Sequence, residues 1–494
     1  MAQPPGPLPI SEKPQTPMAI ESVDGMEKYT EDDLPAVTFT EAEEKALLRR
    51  FDWVLLPVMC FTWALAYYDK VIMGQAVLFN MRQDLDILVP GSRYSNTSMI
   101  FYVGYIIGLP VIGLSTQRFP LGRTCAILVM AWGLCVIMTV LCKNYAGIMV
   151  QRFFLGFIEA GIAPSFVSVI AMYYTKREQA FRAAIWVASA PATNMVSPML
   201  NYGLGAISPK HGWKNMYYFA GALTMSWSFI VWWKLPDDIP TAKFLTPRQR
   251  EIALERVRRN NGGRKEHDIK WNQVWEALMD LNVWGLFILS VCAYFPNGVL
   301  TTFSSLIIKD LGFTTIENLA VQIPKGFVGV IANVVPGYFA MRYAGLRFHI
   351  YTVAVFLAFA GSLALLLAPR VPGLLGALYG LHMFGAASGQ VHGLTASNVG
   401  GYTKRTVATA MTYIGYSVAQ TVAPILFDTD EAPGYRKGFI ATMSVTAFGV
   451  VFSQFLRFHL MMKNRRRDKA GEVDSTRGSE DLTDWENKSM RYSL

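Results

Sequence analysis

GLSTQRFPLGR at residues 113–123 returns as GYFAMRYAGLR at residues 337–347. In both copies a glycine leads an arginine by five positions, and a second arginine follows five later. The residues are Gly113, Arg118 and Arg123, then Gly337, Arg342 and Arg347, at an offset of 224. YTKR at 174–177 recurs at 402–405, an offset of 228, and Ala190-Pro191 recurs as Ala423-Pro424, an offset of 233. Three matches at nearly one spacing imply two homologous halves.

The stretches between these repeats are apolar. Of 494 residues, 52% are hydrophobic and 16% are charged, against about 25% charged in soluble domains. The apolar residues come in runs of about twenty, the length that crosses a bilayer as a helix. The runs predict twelve spans: 53–76, 96–115, 124–142, 145–173, 183–206, 215–233, 284–308, 319–341, 348–368, 372–398, 406–427 and 438–461. Parallel six-helix halves related by an axis along the membrane normal are a transporter architecture. The fold class expected is an all-α membrane protein of two such halves.

Lysine and arginine orient it. Arg118 and Arg123, Lys176, Arg177 and Arg182, Arg342 and Arg347, Lys404 and Arg405, and Arg465 to Arg467 all fall on one side by span order. That side, with both termini, should be the cytosol. The net charge of +9 is therefore read as topology, not as a nucleic-acid surface. The first fifty residues are polar, and the first apolar run is too long for a signal-peptide core, so it is expected to stay as a span. Five cysteines, all in or at the ends of apolar runs, show no metal or redox spacing.

The organisation expected is a disordered tail (1–50), a six-helix half (51–233), a loop with amphipathic helices (234–282), a second half (283–462) and a second tail (463–494). In the loop, Thr246, Pro247 and Gln249 form a helix-start signal. Trp271, Val274, Trp275, Leu278 and Leu281 recur at helical spacing and predict a helix on the inner membrane surface.

YYDKVIMGQA (67–76), RFFLGFIEAGIAPS (152–165), YYTKREQAFRAA (173–184), LPDDIPTAKFLTPRQRE (235–251), SNVGGYTKRTVATA (397–410) and APGYRKGF (432–439) resemble the major facilitator superfamily. Within it, they are similar to the fungal anion:cation symporters that include allantoate, nicotinate and pantothenate permeases. The resemblance implies secondary transport of a small organic anion, with the first and fourth spans bordering a central cavity. There are departures. Gln117 and Met341 stand where the family's loop signature is usually acidic. Asp69-Lys70 and Gln75 replace Asp-Arg and Asn, and Ala419-Gln420 replaces Gly-Asn.

Charges inside the membrane are costly and mark function. Asp69 and Lys70 lie in span one, and Arg152 and Glu159 share a face of span four, seven residues apart. Asp69 and Arg152 lie at similar depth, so the expected pair is Asp69 with Arg152. Glu159 is then the first choice for the proton carrier, with Asp69 and His392 as further candidates. Any of these can equally be a packing residue. Candidate cavity residues are Arg152, Lys70, Asn194 and Asn201 on span five, Asn297, and Tyr413, Tyr416 and Gln420 on span eleven. Lys325, Asn333 and His382 add polar groups to the second half. Arg118, Arg123, Arg177, Arg342, Arg347, Lys404 and Arg405 are gating-loop candidates, or carry topology alone.

No phosphate loop, catalytic triad or metal cluster is visible, so neither an ATP-driven pump nor an enzyme is expected, and no cofactor. The partners expected are a small organic anion, a proton and the lipid bilayer, with the chain a monomer at the plasma membrane. Export of a fungal metabolite, or nutrient sensing without transport, stays open.

Overall fold

The computed structural model describes residues 38–89, 92–208, 210–261, 270–343, 345–367, 371–427, 431–432, 434–471 and 482–494. Twelve spans appear where the apolar runs predict them. They are Glu41–Ala76, Ser92–Arg118, Leu121–Met138, Tyr145–Glu159 with Ile162–Tyr173, Lys176–Ala206, Gly212–Lys234, Leu281–Asp310, Thr315–Arg342, Arg347–Leu367, Val371–Leu381 with Phe384–Asn398, Tyr402–Ile425 and Arg436–Lys469. Eight are long and apolar enough to cross a membrane on length and composition alone. Spans five, six, ten and eleven are not among them. Spans five and eleven carry the polar stripes, span six is rich in tryptophan and tyrosine, and span ten is broken.

The repeat is carried into the packing. Spans 1 and 5, 2 and 4, and 3 and 6 pack together, and so do 7 and 11, 8 and 10, and 9 and 12. Between halves, span 5 packs on span 8 and span 11 on span 2, which is the same contact exchanged by the repeat. Glycine allows the closest approaches, as small residues do between membrane helices. A Cβ at Gly156 of span four would lie 1.8 Å from the Phe101 carbonyl oxygen of span two.

The halves are sealed on the face away from the connecting loop. There Tyr94 donates to the Thr302 carbonyl at 2.7 Å, Ser95 to the Phe427 carbonyl at 2.8 Å, and Ser98 meets Thr302 Oγ1 at 2.8 Å. The loop side is organised differently. The helix Pro247–Asn261 starts at the Thr246 cap, whose backbone and side chain exchange hydrogen bonds with Gln249. It docks on the first half through Arg256, which bonds Glu44 at 2.8 Å and Glu178 at 2.7 Å. The helix Trp271–Met279 docks on the second half, burying Gln273 and Ala277 and leaving Trp271 and Trp275 exposed.

Both expected tails need correction. The first helix begins at Glu41, because Thr40 and Glu43 form a capping box and Arg50 donates to the Phe244 carbonyl at 2.9 Å. Residues 1–37 lie outside the described residues. At the other end the last helix runs to Lys469, and residues 482–494 fold back on the second half. Asn398 and Ser493 exchange two hydrogen bonds, and Asn464 and Tyr492 exchange two more.

Candidate functional site

Spans four and ten, the fourth of each half, are interrupted at matching points. The first break falls at Ala160-Gly161 and the second at His382-Met383. Interrupted helices at equivalent positions of two repeats mark the binding region of many transporters. Glu159 is the last residue before the first break.

Around that break the first half gathers four buried or partly buried charges. Lys70 pairs with Glu159. Arg152 donates to the Tyr217 hydroxyl at 2.8 Å. Asp69 is buried, and among the described residues neither of its carboxylate oxygens has a hydrogen-bond partner. The Trp132 indole N–H approaches Asp69 without reaching hydrogen-bond geometry. The expected Asp69–Arg152 pair is therefore replaced by a Lys70–Glu159 pair. The cause is reach. Both residues of span four lie on one face, but the flexible Lys70 side chain carries its ammonium to Glu159, 5.7 Å from the ring centres of both Trp63 and Phe101. Lys70 and Arg152 also line a small cavity closed by Thr301 and Thr302 of span seven.

The polar stripe of span five faces span one. Tyr68 donates to Asn201 at 2.5 Å, Asn201 donates to Gln75, and Gln75 donates to Ser197 at 3.3 Å. Asn194 donates to Tyr67 at 3.3 Å. Most of this stripe is thus internally satisfied, although Asn194 Oδ1 is buried without a partner among the described residues. Span eleven meets span two: Tyr416 packs against Tyr102 and Tyr105, and Gln420 donates to Tyr102 at 3.2 Å. His392 contacts the Tyr294 hydroxyl at 3.2 Å and lies 5.1 Å from the Tyr413 ring. His382 Nδ1 faces the Leu378 carbonyl at 3.0 Å. Asn333 is spent on the Gly329 carbonyl. The Asn297 and Gln420 amide oxygens are buried without partners among the described residues.

The gating candidates divide. Arg123 bonds Asp237 at 3.1 Å, Arg347 bonds Gly393 and Ser397, Arg405 donates to the Val399 carbonyl, and Lys404 is buried among carboxylates. Arg342 is exposed. The side chains of Arg118 and Arg177 lie outside the described residues. The sequence reading missed Tyr217, Trp132 and the Tyr102–Tyr105 pair. Only the pair had a signal, two tyrosines three apart on one face.

A two-fold repeated bundle with buried charges at the first of its two broken helices is a multi-pass membrane transporter. The chain belongs to the Major Facilitator Superfamily, whose model matches residues 59–426. An uncharacterized transporter of Schizosaccharomyces pombe is 30% identical over 92% of this chain and 88% of its own. The thiamine pathway transporter of Saccharomyces cerevisiae is 28% identical over 90% and 86%. The allantoate permease of the same yeast is 26% identical over 93% and 88%. In fold, the chain is similar to the crystal structure of a bacterial homolog of the human lysosomal transporter Spinster. That match has a TM-score of 0.62 and 13% identity, and it covers 85% of this chain and 98% of the other.

Proposed function

We propose that the protein carries a small organic anion into the cell together with protons, across the plasma membrane, with both termini in the cytosol. The observation that supports coupling is the cluster of Asp69, Lys70, Arg152 and Glu159. An ionised carboxylate buried without a hydrogen bond is expensive, and Asp69 is a buried carboxyl group in that position, so the site favours taking up a proton. Glu159 shares its charge with Lys70, and breaking that pair frees a cation in the cavity wall. The cluster can therefore exchange a proton for an exposed positive charge, which is what anion symport needs. His392 is a third candidate in the second half. The likeness to an allantoate permease supports an anionic substrate. The basic residues gathered on the loop side support a cytosolic placement of that side.

The test is uptake of labelled allantoate, nicotinate and pantothenate by cells expressing the protein, at acidic and neutral external pH. Accumulation should be greater at acidic pH and collapse with a protonophore. Equal accumulation after the gradient is removed would rule out proton coupling. Loss of preloaded label driven outward would favour export.

A further inference from the structure

Spans seven to eleven, as bounded by 284–308, 319–341, 348–368, 372–398 and 406–427, contain a single residue among Asp, Glu, Lys and Arg. It is Lys325. The first half balances two acids with two bases inside the membrane, whereas the second half carries an unbalanced positive charge. Arg457 of span twelve sits one turn from the loop-side end of its predicted span and is only partly buried, although its Nε lacks a partner among the described residues.

Lys325 is buried. Its ammonium meets Gln322 Oε1 at 3.2 Å and Ser304 Oγ at 3.4 Å, both neutral. Gln322 is in turn held by Ser305 and Asn318. The titratable neighbour across the packing is His382, at the break in span ten. Lys325 lies ten residues into its helix from Thr315, about 15 Å, which is near the middle of a bilayer. It also lies at the seam. A Cβ at Gly326 would come within 2.8 Å of Met195, and one at Gly329 within 2.6 Å of Pro191, both on span five of the other half. Substrate sites of repeat-built transporters lie at the midplane between repeats.

Among the described residues no carboxylate pairs with this buried ammonium, and an intramembrane charge without a counter-charge is unfavourable. We infer that Lys325 is the anchor for the carboxylate of the transported anion. This rests on the organic-anion reading and deepens it. The unpartnered amide oxygens of Asn297, two turns along span seven from Ser304, and of Gln420 complement the anchor. Asn297 lies about 10 Å along span seven from Ser304 by helical rise, and Gln420 Oε1 is level with it, 2.8 Å from where a Cβ on Gly298 would stand. The class of ligand is a small carboxylic acid that bears N–H or O–H donors.

The experiment uses the purified full-length protein and reads thermal stabilisation by allantoate, nicotinate and pantothenate. Each acid is compared with its neutral amide, and with chloride. The unmodified protein should be stabilised by at least one acid and not by its amide. Lys325→Gln should weaken acid binding about tenfold or more and lose the acid-over-amide preference, with the unliganded melting point unchanged. Lys325→Arg should keep the preference. Acid binding by Lys325→Gln equal to the unmodified protein overturns the anchor and leaves the organic-anion reading standing. Binding of no acid by the unmodified protein overturns both. Equal stabilisation by chloride also overturns the anchor, since any anion then suffices. If neither Lys325→Gln nor Lys325→Met yields folded protein without ligand, the lysine is structural and the inference falls.

Discussion

Lys404 Nζ lies 2.6 Å from Asp484 Oδ1, so the loop-side start of the span-eleven helix, ahead of the apolar run 406–427, is held by a carboxylate eighty residues further on, in the C-terminal tail. Glu276 and Asp280 of the connecting loop complete the shell at 2.8 and 2.7 Å. Tyr492 donates to Asp484 at 2.9 Å, and Arg467 binds the Asp484 carbonyl at 2.6 Å. Gly400 and Gly401 make room for this. A Cβ on Gly400 would sit 2.6 Å from the Asp484 nitrogen, and Gly401 has a φ of +80°. One lysine of a repeated YTKR motif thereby ties loop, tail and span together.

Removing Lys404 should cost more than removing Asp484. Lys404→Met strands up to three carboxylates, and breaking a buried pair costs about 3–5 kcal/mol. Asp484→Asn leaves Lys404 with two partners and should cost about a third of that. Burial draws the Lys404 ammonium toward neutrality, but its carboxylate partners outweigh this and hold its pKa above the ordinary lysine value. Its contribution is thus complete at neutral pH, starts to fall as pH rises above the ordinary lysine value, and is lost by the time pH passes the raised one. Melting curves in detergent check both points. The gap between Lys404→Met and the unmodified protein should be constant through neutral pH and narrow only in strong alkali.

Gly156→Ala should reduce folded protein sharply. The added methyl would overlap the Phe101 backbone of span two, and overpacking of this kind costs roughly 1–3 kcal/mol or more. Gly203→Ala is the control, since a Cβ there meets nothing within 4 Å. Yield of monodisperse protein from equal expression measures the difference.

The fold was legible because a bilayer demands about twenty apolar residues per span, and because the 113–123 and 337–347 stretches repeat. The helix breaks were less so. Ala160-Gly161 is a weak hint, and His382-Met383 gives none, since neither residue is a helix breaker. Pairing within the site was not legible either. Seven-residue spacing puts Arg152 and Glu159 on one face, but it says nothing of which side chain a neighbouring lysine reaches. The tail misled because its composition is charged. Its docking residues, Thr483, Asp484, Trp485, Glu486 and Tyr492, are few, and a Thr and Glu at capping spacing were the available signal.

Arg152→Ala should impair transport more than folding. The guanidinium lines the cavity between the halves and holds Tyr217. Its loss removes a positive charge from the anion path, so the apparent affinity for an acidic substrate should fall about tenfold or more. Surface abundance measured beside uptake separates this from misfolding. Normal abundance with normal uptake would show the residue to be dispensable.

Asp69 and Glu159 should differ in what their neutral variants lose. Symport needs a group that binds a proton on one side and releases it on the other. Asp69 has no hydrogen-bond partner among the described residues, so Asp69→Asn removes a charge that none of them bonds. It should fold normally, lose gradient-driven accumulation and keep exchange of internal for external substrate. Glu159→Gln instead frees Lys70 from its pair. That leaves a permanent cation in the cavity wall, so substrate should bind tightly and leave slowly, lowering both KM and the maximal rate. Uptake and counterflow assays at two external pH values, with and without a protonophore, separate the two. If Asp69→Asn still accumulates substrate against its gradient and Glu159→Gln does not, the proton travels on Glu159 and the lysine pair is the step that gates it. If both variants accumulate like the unmodified protein, the coupling group lies outside this cluster, and His392 is the next residue to neutralise.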